Sequence, residues 1–259
     1  MDLAEYLKRI NYQGGLPPDI QNLKALHRAH VSHVPFENLD IHYGRKIVLD
    51  EKHFYHKVVR EKRGGFCYEL NGLFASALQM LGYQVYRVAA RVYQPEEESY
   101  GPDFAHISLL LSLENQNYLL DVGFGSSFPE PLLIQWDKVQ EQDTVQYVLE
   151  QEEEEYITIQ RSYDQGQSFV PMYQFRMQPY QLQDFTQGCH YHQNSEESPL
   201  YRKKLCSIAT AAGRITLTSN HLTITEGEKR TKIVIKDEVD FRDKLLEYFG
   251  IRIPFAQPQ

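Results

Sequence analysis

Cysteine is scarce in this chain. Its three residues, Cys67, Cys189 and Cys206, are odd in number and lack disulfide-framework or zinc-site spacing, which argues for a reducing, cytoplasmic setting without disulfides. Positive charge is also short. Lys and Arg number 27 against 35 Asp and Glu, a net charge of -8, which disfavours nucleic acid and anionic membranes, whose binding relies on basic residues meeting phosphates. No apolar run approaches the roughly 20 residues of a membrane span. The segment from Met1 to Arg9 is charged throughout and has no signal-peptide form. No internal repeat is present. What remains is a globular protein with chain enough for one large domain or two to three small ones.

The most informative stretch is Arg63-Gly64-Gly65-Phe66-Cys67-Tyr68-Glu69-Leu70-Asn71. From Phe66, apolar residues recur at helical spacing through Leu70, Leu73, Phe74, Ala77, Leu78 and Leu81, and Gly82 ends the pattern. Cys67 therefore falls in the first helical turn, where unpaired N–H groups and the helix dipole favour a thiolate. Gly64 and Gly65 are expected to let the backbone pass close to a docked ligand. An isolated cysteine is more often simply buried, but this one has companions. His106 opens a strand-like run, Phe104 to Leu111, and Asp121 ends another, Tyr118 to Asp121, followed by Gly123-Phe124-Gly125. A hairpin through residues 114–117 makes the two strands neighbours. Cys67, His106 and Asp121 then form a nucleophile, a base and the group that orients the base.

These residues carry a specific resemblance. Val34-Pro35-Phe36-Glu37-Asn38-Leu39, the Arg63–Asn71 segment, His106 and the run from Asp121 to Ser127 are similar, in order and separation, to signatures of the arylamine N-acetyltransferase family, bacterial type. Residues 175–180, Asp184-Phe185 and Ser198-Pro199 fit its later pattern more loosely. The resemblance implies an α+β fold with a cysteine-protease/transglutaminase-like core: a helical bundle over 1–82 carrying Cys67, a β-barrel-like domain over 83–195 carrying His106 and Asp121, and an α/β lid over 196–259. It implies acetyl-CoA as acyl-donor substrate, arylamines, arylhydrazines or N-hydroxyarylamines as acceptors, and neither a metal nor a prosthetic group. It also places Gly123, Phe124 and Gly125 beside the acyl and pantetheine region. Phe36 is a second candidate aromatic wall, with a core role as its plain alternative. Arg63 and Glu37 are candidates to pair behind the nucleophile turn, and Asn71, one helical turn after Cys67, to hydrogen-bond near the triad. An amide synthase or cysteine hydrolase would use the same three residues. Coenzyme A is anionic, and Arg63, Arg202, Lys203, Lys204 and Arg214 are the candidate cations for it.

Helices are predicted from Asp2, from Asp19 to Pro35, from Asp50 to Gly64, over Tyr180 to Tyr191 and from Asp237 to Gly250. Strands are predicted from Val85 onward, with a closing antiparallel set over Leu205 to Ile235. His27, His30 and His33 recur every third residue and read as a solvated helix face. Cys189-His190-Tyr191-His192 lacks a second pair at zinc spacing. The acidic run Glu150 to Glu155 reads as a solvated loop or hairpin tip.

Overall fold

The computed structural model describes residues 1–151 and 155–253. Its first part is helical: α1 (Leu3–Arg9), α2 (Ile20–His33), a short strand β1 (Phe36–Glu37), α3 (Leu39–His42), α4 (Glu51–Tyr55) and α5 (Cys67–Met80). Asp2, Asp19 and Asp50 cap α1, α2 and α4 by accepting N–H bonds from the first turn. The helix predicted from Asp50 to Gly64 is broken. After α4 the chain widens into one π turn, His56–Arg60, which buries the consecutive residues Lys57, Val58 and Val59. A π turn inside a helix commonly marks a functional position, and here it ends at Arg60, ahead of the Cys67 turn.

The middle is a nine-stranded antiparallel sheet: β2 (Val85–Gln94), β3 (Ser99–Tyr100), β4 (His106–Leu113), β5 (Gln116–Leu120), β6 (Leu132–Leu133), β7 (Gln140–Gln142), β8 (Val145–Gln151), β9 (Ile157–Ser162) and β10 (Val170–Tyr180). Its order is β6-β5-β4-β2-β10-β9-β8-β7, with β3 on β2. Strands β8 and β9 flank the acidic run as a pair, and Glu152, Glu153 and Glu154 of that run lie outside the described residues. Glutamine side chains tie the two edges into a nearly closed barrel. The Gln140 amide donates to Leu133 O and accepts from Leu133 N–H, both at 2.8 Å, and Gln142 does the same to Glu130 at 3.0 and 2.9 Å. Each amide mimics a strand's donor and acceptor, so the exposed edges that invite aggregation are occupied.

After β10 comes one 3-10 turn, Leu182–Phe185, then α6 (Thr186–Asn194) and α7 (Pro199–Arg202). Tyr180, predicted as helical, is instead the last residue of β10, paired with Arg87. A second antiparallel sheet has the order β1-β11-β12-β13-β14, from β11 (Leu205–Thr210), β12 (Gly213–Thr218), β13 (His221–Glu226) and β14 (Lys229–Val234). Its first strand comes from the helical part, so Phe36 and Glu37 pair with Ser207 and Cys206. Helix α8 (Glu238–Phe249) packs Phe241, Leu245 and Phe249 beneath it with Leu217 and Leu222. One core joins α1, α2 and α5 to the inner face of β4 and β5, a second fills the barrel, and the third lies under α8.

Candidate active site

Cys67 is the first residue of α5, and the turn before it is anchored from behind. Glu37 N–H donates to Gly65 O at 2.8 Å and Gly65 N–H donates to Pro35 O at 3.3 Å. A Cβ at Gly64 would lie 1.9 Å from Pro35 O, and one at Gly65 would lie 2.8 Å from the Glu69 side chain. The close approach expected for a ligand is therefore made by the chain itself. Below the turn sits a buried charge cluster. Arg63 reaches Glu37 at 2.7 Å and Asp40 at 2.5 Å, while Lys57 reaches Asp40 at 2.8 Å and Glu69 at 2.9 Å. Burial opposes the charge on Lys57 and Arg63, yet the surrounding carboxylates hold both above their ordinary values. Burial likewise opposes the Asp40 charge, and the two cations hold its carboxyl below the usual range, whereas burial of Glu69 prevails over Lys57 and raises it. Glu69 also accepts from Phe66 N–H at 3.1 Å, closing the helix start. Arg63, so enclosed, is not a cation for a coenzyme.

Strands β4 and β5 pair Leu109 with Leu120, which brings His106 and Asp121 to one end of the hairpin. His106 Nε2 lies 2.7 Å from Asp121 Oδ2. Every polar atom of Asp121 is engaged. Its Oδ1 accepts from Asn71 Nδ2 and from Gly123 N–H, each at 2.9 Å; its backbone N–H donates to His27 Nε2 at 3.1 Å; its carbonyl accepts from Ser127 Oγ. Asn71 is equally committed, donating to Ile107 O at 2.7 Å and accepting from Val122 N–H at 2.9 Å. Burial alone would raise the Asp121 carboxyl, but His106 and these donors hold it below the usual range. An ionised Asp121 places the shared proton on His106 Nε2 and leaves Nδ1 to accept another. The His106 ring is steadied by Phe124 and Tyr173, at 5.4 and 5.0 Å between centroids.

The helix start was expected to favour a thiolate. Burial instead pushes the Cys67 thiol well up, with backbone hydrogen bonds from Ile107 and Tyr68 pulling the other way. Gly123 allows the Asp121 loop to lie on Cys67, since a Cβ there would stand 2.7 Å from Cys67 Cα.

Cys67 and His106 line one cavity of about 360 Å³ with Phe36, Gly123, Phe124 and Gly125 on the near wall. Val92, Leu200, Leu205 and Arg214 are on the rest of its surface. Phe36 is at once buried core and cavity wall, facing Gly125. Lys204 pairs with Glu238 at 2.7 Å and lies 3.7 Å over the Phe241 ring, and Arg202 lines a different cavity. Lys203 lies 4.0 Å from Glu96 at the surface.

Sequence reasoning missed two histidines. His27 and His30 are fully buried, and of the three only His33 is exposed. His27 joins Pro129 O (2.9 Å) to Asp121 N–H and stacks on Phe128. His192 bonds Ser198 Oγ at 2.7 Å and Ala105 O at 2.6 Å, bracing the residue before His106. Buried polar side chains need partners, but Pro129, Asp121 and Ala105 lie so far along the chain from these rings that no local spacing announces them.

Fold and cavity together bring a cysteine, a histidine and an aspartate to one site, and the comparisons with known proteins make the chain an acyltransferase. The N-acetyltransferase family profile matches residues 19–257. The chain is 31% identical to the Gallus gallus arylamine N-acetyltransferase, pineal gland isozyme NAT-10, over 95% of this chain and 91% of that protein. It is also 31% identical to the Escherichia coli (strain K12) arylamine N-acetyltransferase, over 98% and 90%. The solved Salmonella typhimurium arylamine N-acetyltransferase superposes with a TM-score of 0.90 at 30% identity, covering 96% of this chain and 90% of that one. The Mycobacterium marinum arylamine N-acetyltransferase in complex with CoA superposes at 0.88 with 29% identity, covering 96% and 93%. The chain belongs to the arylamine N-acetyltransferase family.

Proposed function

We propose that this protein moves an acetyl group from acetyl-CoA to an arylamine, arylhydrazine or N-hydroxyarylamine through a thioester on Cys67. The observation that carries the reading is a buried thiol sharing one cavity with an imidazole whose far nitrogen is held by Asp121. His106 takes the thiol proton and the thiolate attacks the acetyl carbonyl. CoA leaves as its thiol, taking up the proton, and the acetyl group stays on sulfur. The acceptor nitrogen then attacks, His106 removes its proton, and the amide departs as Cys67 is restored. Asp121 holds His106 in the useful tautomer and stabilises its cation. Among the described residues no hydrogen bond engages the Cys67 N–H, which supports its use as an oxyanion donor. Two steps replace one hard displacement, and the apolar walls favour an amine over water as second nucleophile. CoA binding by the Mycobacterium marinum relative supports the choice of donor.

The segments 1–82, 83–195 and 196–259 act in this reading as nucleophile bundle, base-bearing barrel and lid. Leu205, Ser207, Arg214 and Thr216 in the cavity wall support the lid role. The test is initial-rate kinetics with donor and acceptor varied together. Parallel double-reciprocal lines, abolished by Cys67→Ala, are expected; intersecting lines, or retained donor-dependent transfer in the variant, would contradict the thioester route.

A further inference from the structure

A second cavity, of about 490 Å³, shares no lining residue with the one that holds Cys67. Its carboxylates are all engaged. Asp40 and Glu69 hold Lys57 at 2.8 and 2.9 Å, Asp40 also holds Arg63, and Glu61 lies 3.1 Å from His56. Arg45, Lys46 and Lys52 line the same cavity and are exposed. Among the described residues the side-chain nitrogens of these three meet neither a carboxylate nor any other acceptor. Their backbone, by contrast, is fixed. Arg45 N–H donates to Asp40 O at 2.8 Å, Ile47 N–H to Gln193 Oε1 at 2.8 Å, and Lys52 N–H to Asp50 Oδ1 at 2.9 Å. The larger cavity beside Arg91 and Arg202 makes a contrast, because Glu97, Asp103, Glu196 and Glu197 outnumber its two cations.

We propose that Arg45, Lys46 and Lys52 form a binding site for a polyphosphate anion, behind the nucleophile turn and separate from the substrate cavity. The inference does not depend on the transferase reading above. Histidines aside, Arg45, Lys46, Lys52, Lys57 and Arg63 line the cavity against Asp40, Glu61 and Glu69, a surplus of positive charge. Glu37, which meets Lys57 and Arg63 from behind, reduces that surplus without removing it. Lys57 and Arg63 are buried and paired, so the surplus falls on the three exposed cations, in a chain of net charge -8. A cleft lined by one sign of charge focuses its field on an incoming ion, and an anion seated there relieves the mutual repulsion of the three. Lysine meets phosphate oxygens as a point charge and arginine by its planar fork. A chain of linked phosphates offers oxygens to all three cations at once, which a single carboxylate does not. Ile47 and Val48 add an apolar edge of the kind a nucleotide base covers.

The experiment is isothermal titration calorimetry of the protein with inorganic tripolyphosphate at about 0.15 M salt. It is repeated on one variant that combines Arg45→Gln, Lys46→Gln and Lys52→Gln. These side chains are exposed and lie outside the Cys67 cavity, so acetyl transfer is expected to keep its wild-type rate. Tripolyphosphate affinity should fall by about 30-fold or more in the variant. No saturable binding to the wild type, or equal affinity in the variant, overturns the proposal. Citrate bound as tightly as tripolyphosphate would make this a site for anions in general and overturn its assignment to phosphate. The phosphates have two sources, which adenosine triphosphate separates: tighter binding than tripolyphosphate assigns a nucleotide, weaker binding assigns free polyphosphate, and either supports the site. A melting temperature of the wild type that rises with tripolyphosphate, and not with citrate at matched ionic strength, is the second expected result. It needs no variant, and an unchanged melting temperature contradicts the proposal.

Discussion

His27 Nε2 accepts the backbone N–H of Asp121 at 3.1 Å, across 94 residues of sequence. Since its other nitrogen lies on the Pro129 carbonyl, the ring is a neutral bridge that fixes where the Asp121 loop starts. His27→Ala would leave Asp121 N–H and Pro129 O unpaired. We expect a stability loss of roughly 2–5 kcal/mol and a shifted pH profile of Cys67 acetylation. His27→Gln, which retains a donor and an acceptor, should recover part of both. Thermal melts and a stopped-flow pH series check this; a destabilised variant with an unshifted profile would make His27 structural only.

Three buried histidines set a pH window. Burial holds His27 and His192 down to about 4 and lowers His30 well below its ordinary value. Well above pH 6.5 all three are neutral in the folded and the unfolded chain. Between about pH 6.5 and 4 the unfolded chain takes up protons that the folded chain refuses, so stability falls as pH falls through that window. The slope is at most roughly 1.4 kcal/mol per pH unit per histidine. Asp121 acts lower: its depressed carboxyl contributes stability above its ordinary value of about 4, lost as pH falls through its folded value. Denaturant midpoints measured against pH should show the first slope, flattened in His27→Gln. A flat wild-type curve from pH 6.5 to 4.5 would contradict it.

Much of this site is legible in the sequence, for a definite reason. Cys67 opens a helix whose apolar spacing is continuous, and His106 and Asp121 stand at the ends of two strands joined by a short hairpin. Local periodicity carries that information. The His27–His30–His33 spacing shows a common helix side but not whether the side faces water or Phe74 and Phe128, which arrive from elsewhere in the chain. The π turn is hidden for a similar reason, because Lys57 is drawn inward by Asp40 and Glu69, which are distant in sequence. The use of Gly64 for Pro35 is a tertiary fact too.

Gly123→Ala should separate packing from chemistry. Its new Cβ would collide with the Cys67 backbone at 2.7 Å and with Asn71 Nδ2 at the same distance. Overpacking of this kind costs roughly 1–3 kcal/mol, and the loop must retreat from the nucleophile. Acetylation of Cys67 should slow by about tenfold or more. Wild-type rates in a folded variant would show that loop contact is dispensable.

Arg63→Met removes one cation from a buried cluster of Glu37, Asp40, Glu69, Lys57 and Arg63. Breaking such a group leaves an uncompensated carboxylate and costs roughly 3–5 kcal/mol. The melting temperature should drop by roughly 6 °C or more, with lower Cys67 reactivity because the nucleophile turn rests on the pair. A melting temperature within a degree or two of wild type would contradict this.

Asp121→Asn preserves the size of the side chain and removes the charge that orients His106. Transfer should fall by about 10³–10⁴-fold while the protein remains folded. Single-turnover acetylation rates, with circular dichroism to confirm the fold, provide the check. A loss of less than tenfold would show that His106 does not depend on Asp121.

The central claim is that the acetyl group passes through the sulfur of Cys67, and intact mass spectrometry tests it most directly. The protein is mixed with acetyl-CoA, without acceptor, and then given an aniline or a hydrazine. The account predicts one added acetyl group that maps to Cys67 and disappears when the amine is added. An adduct on another residue, or transfer to the amine while Cys67 is blocked by alkylation, would contradict it.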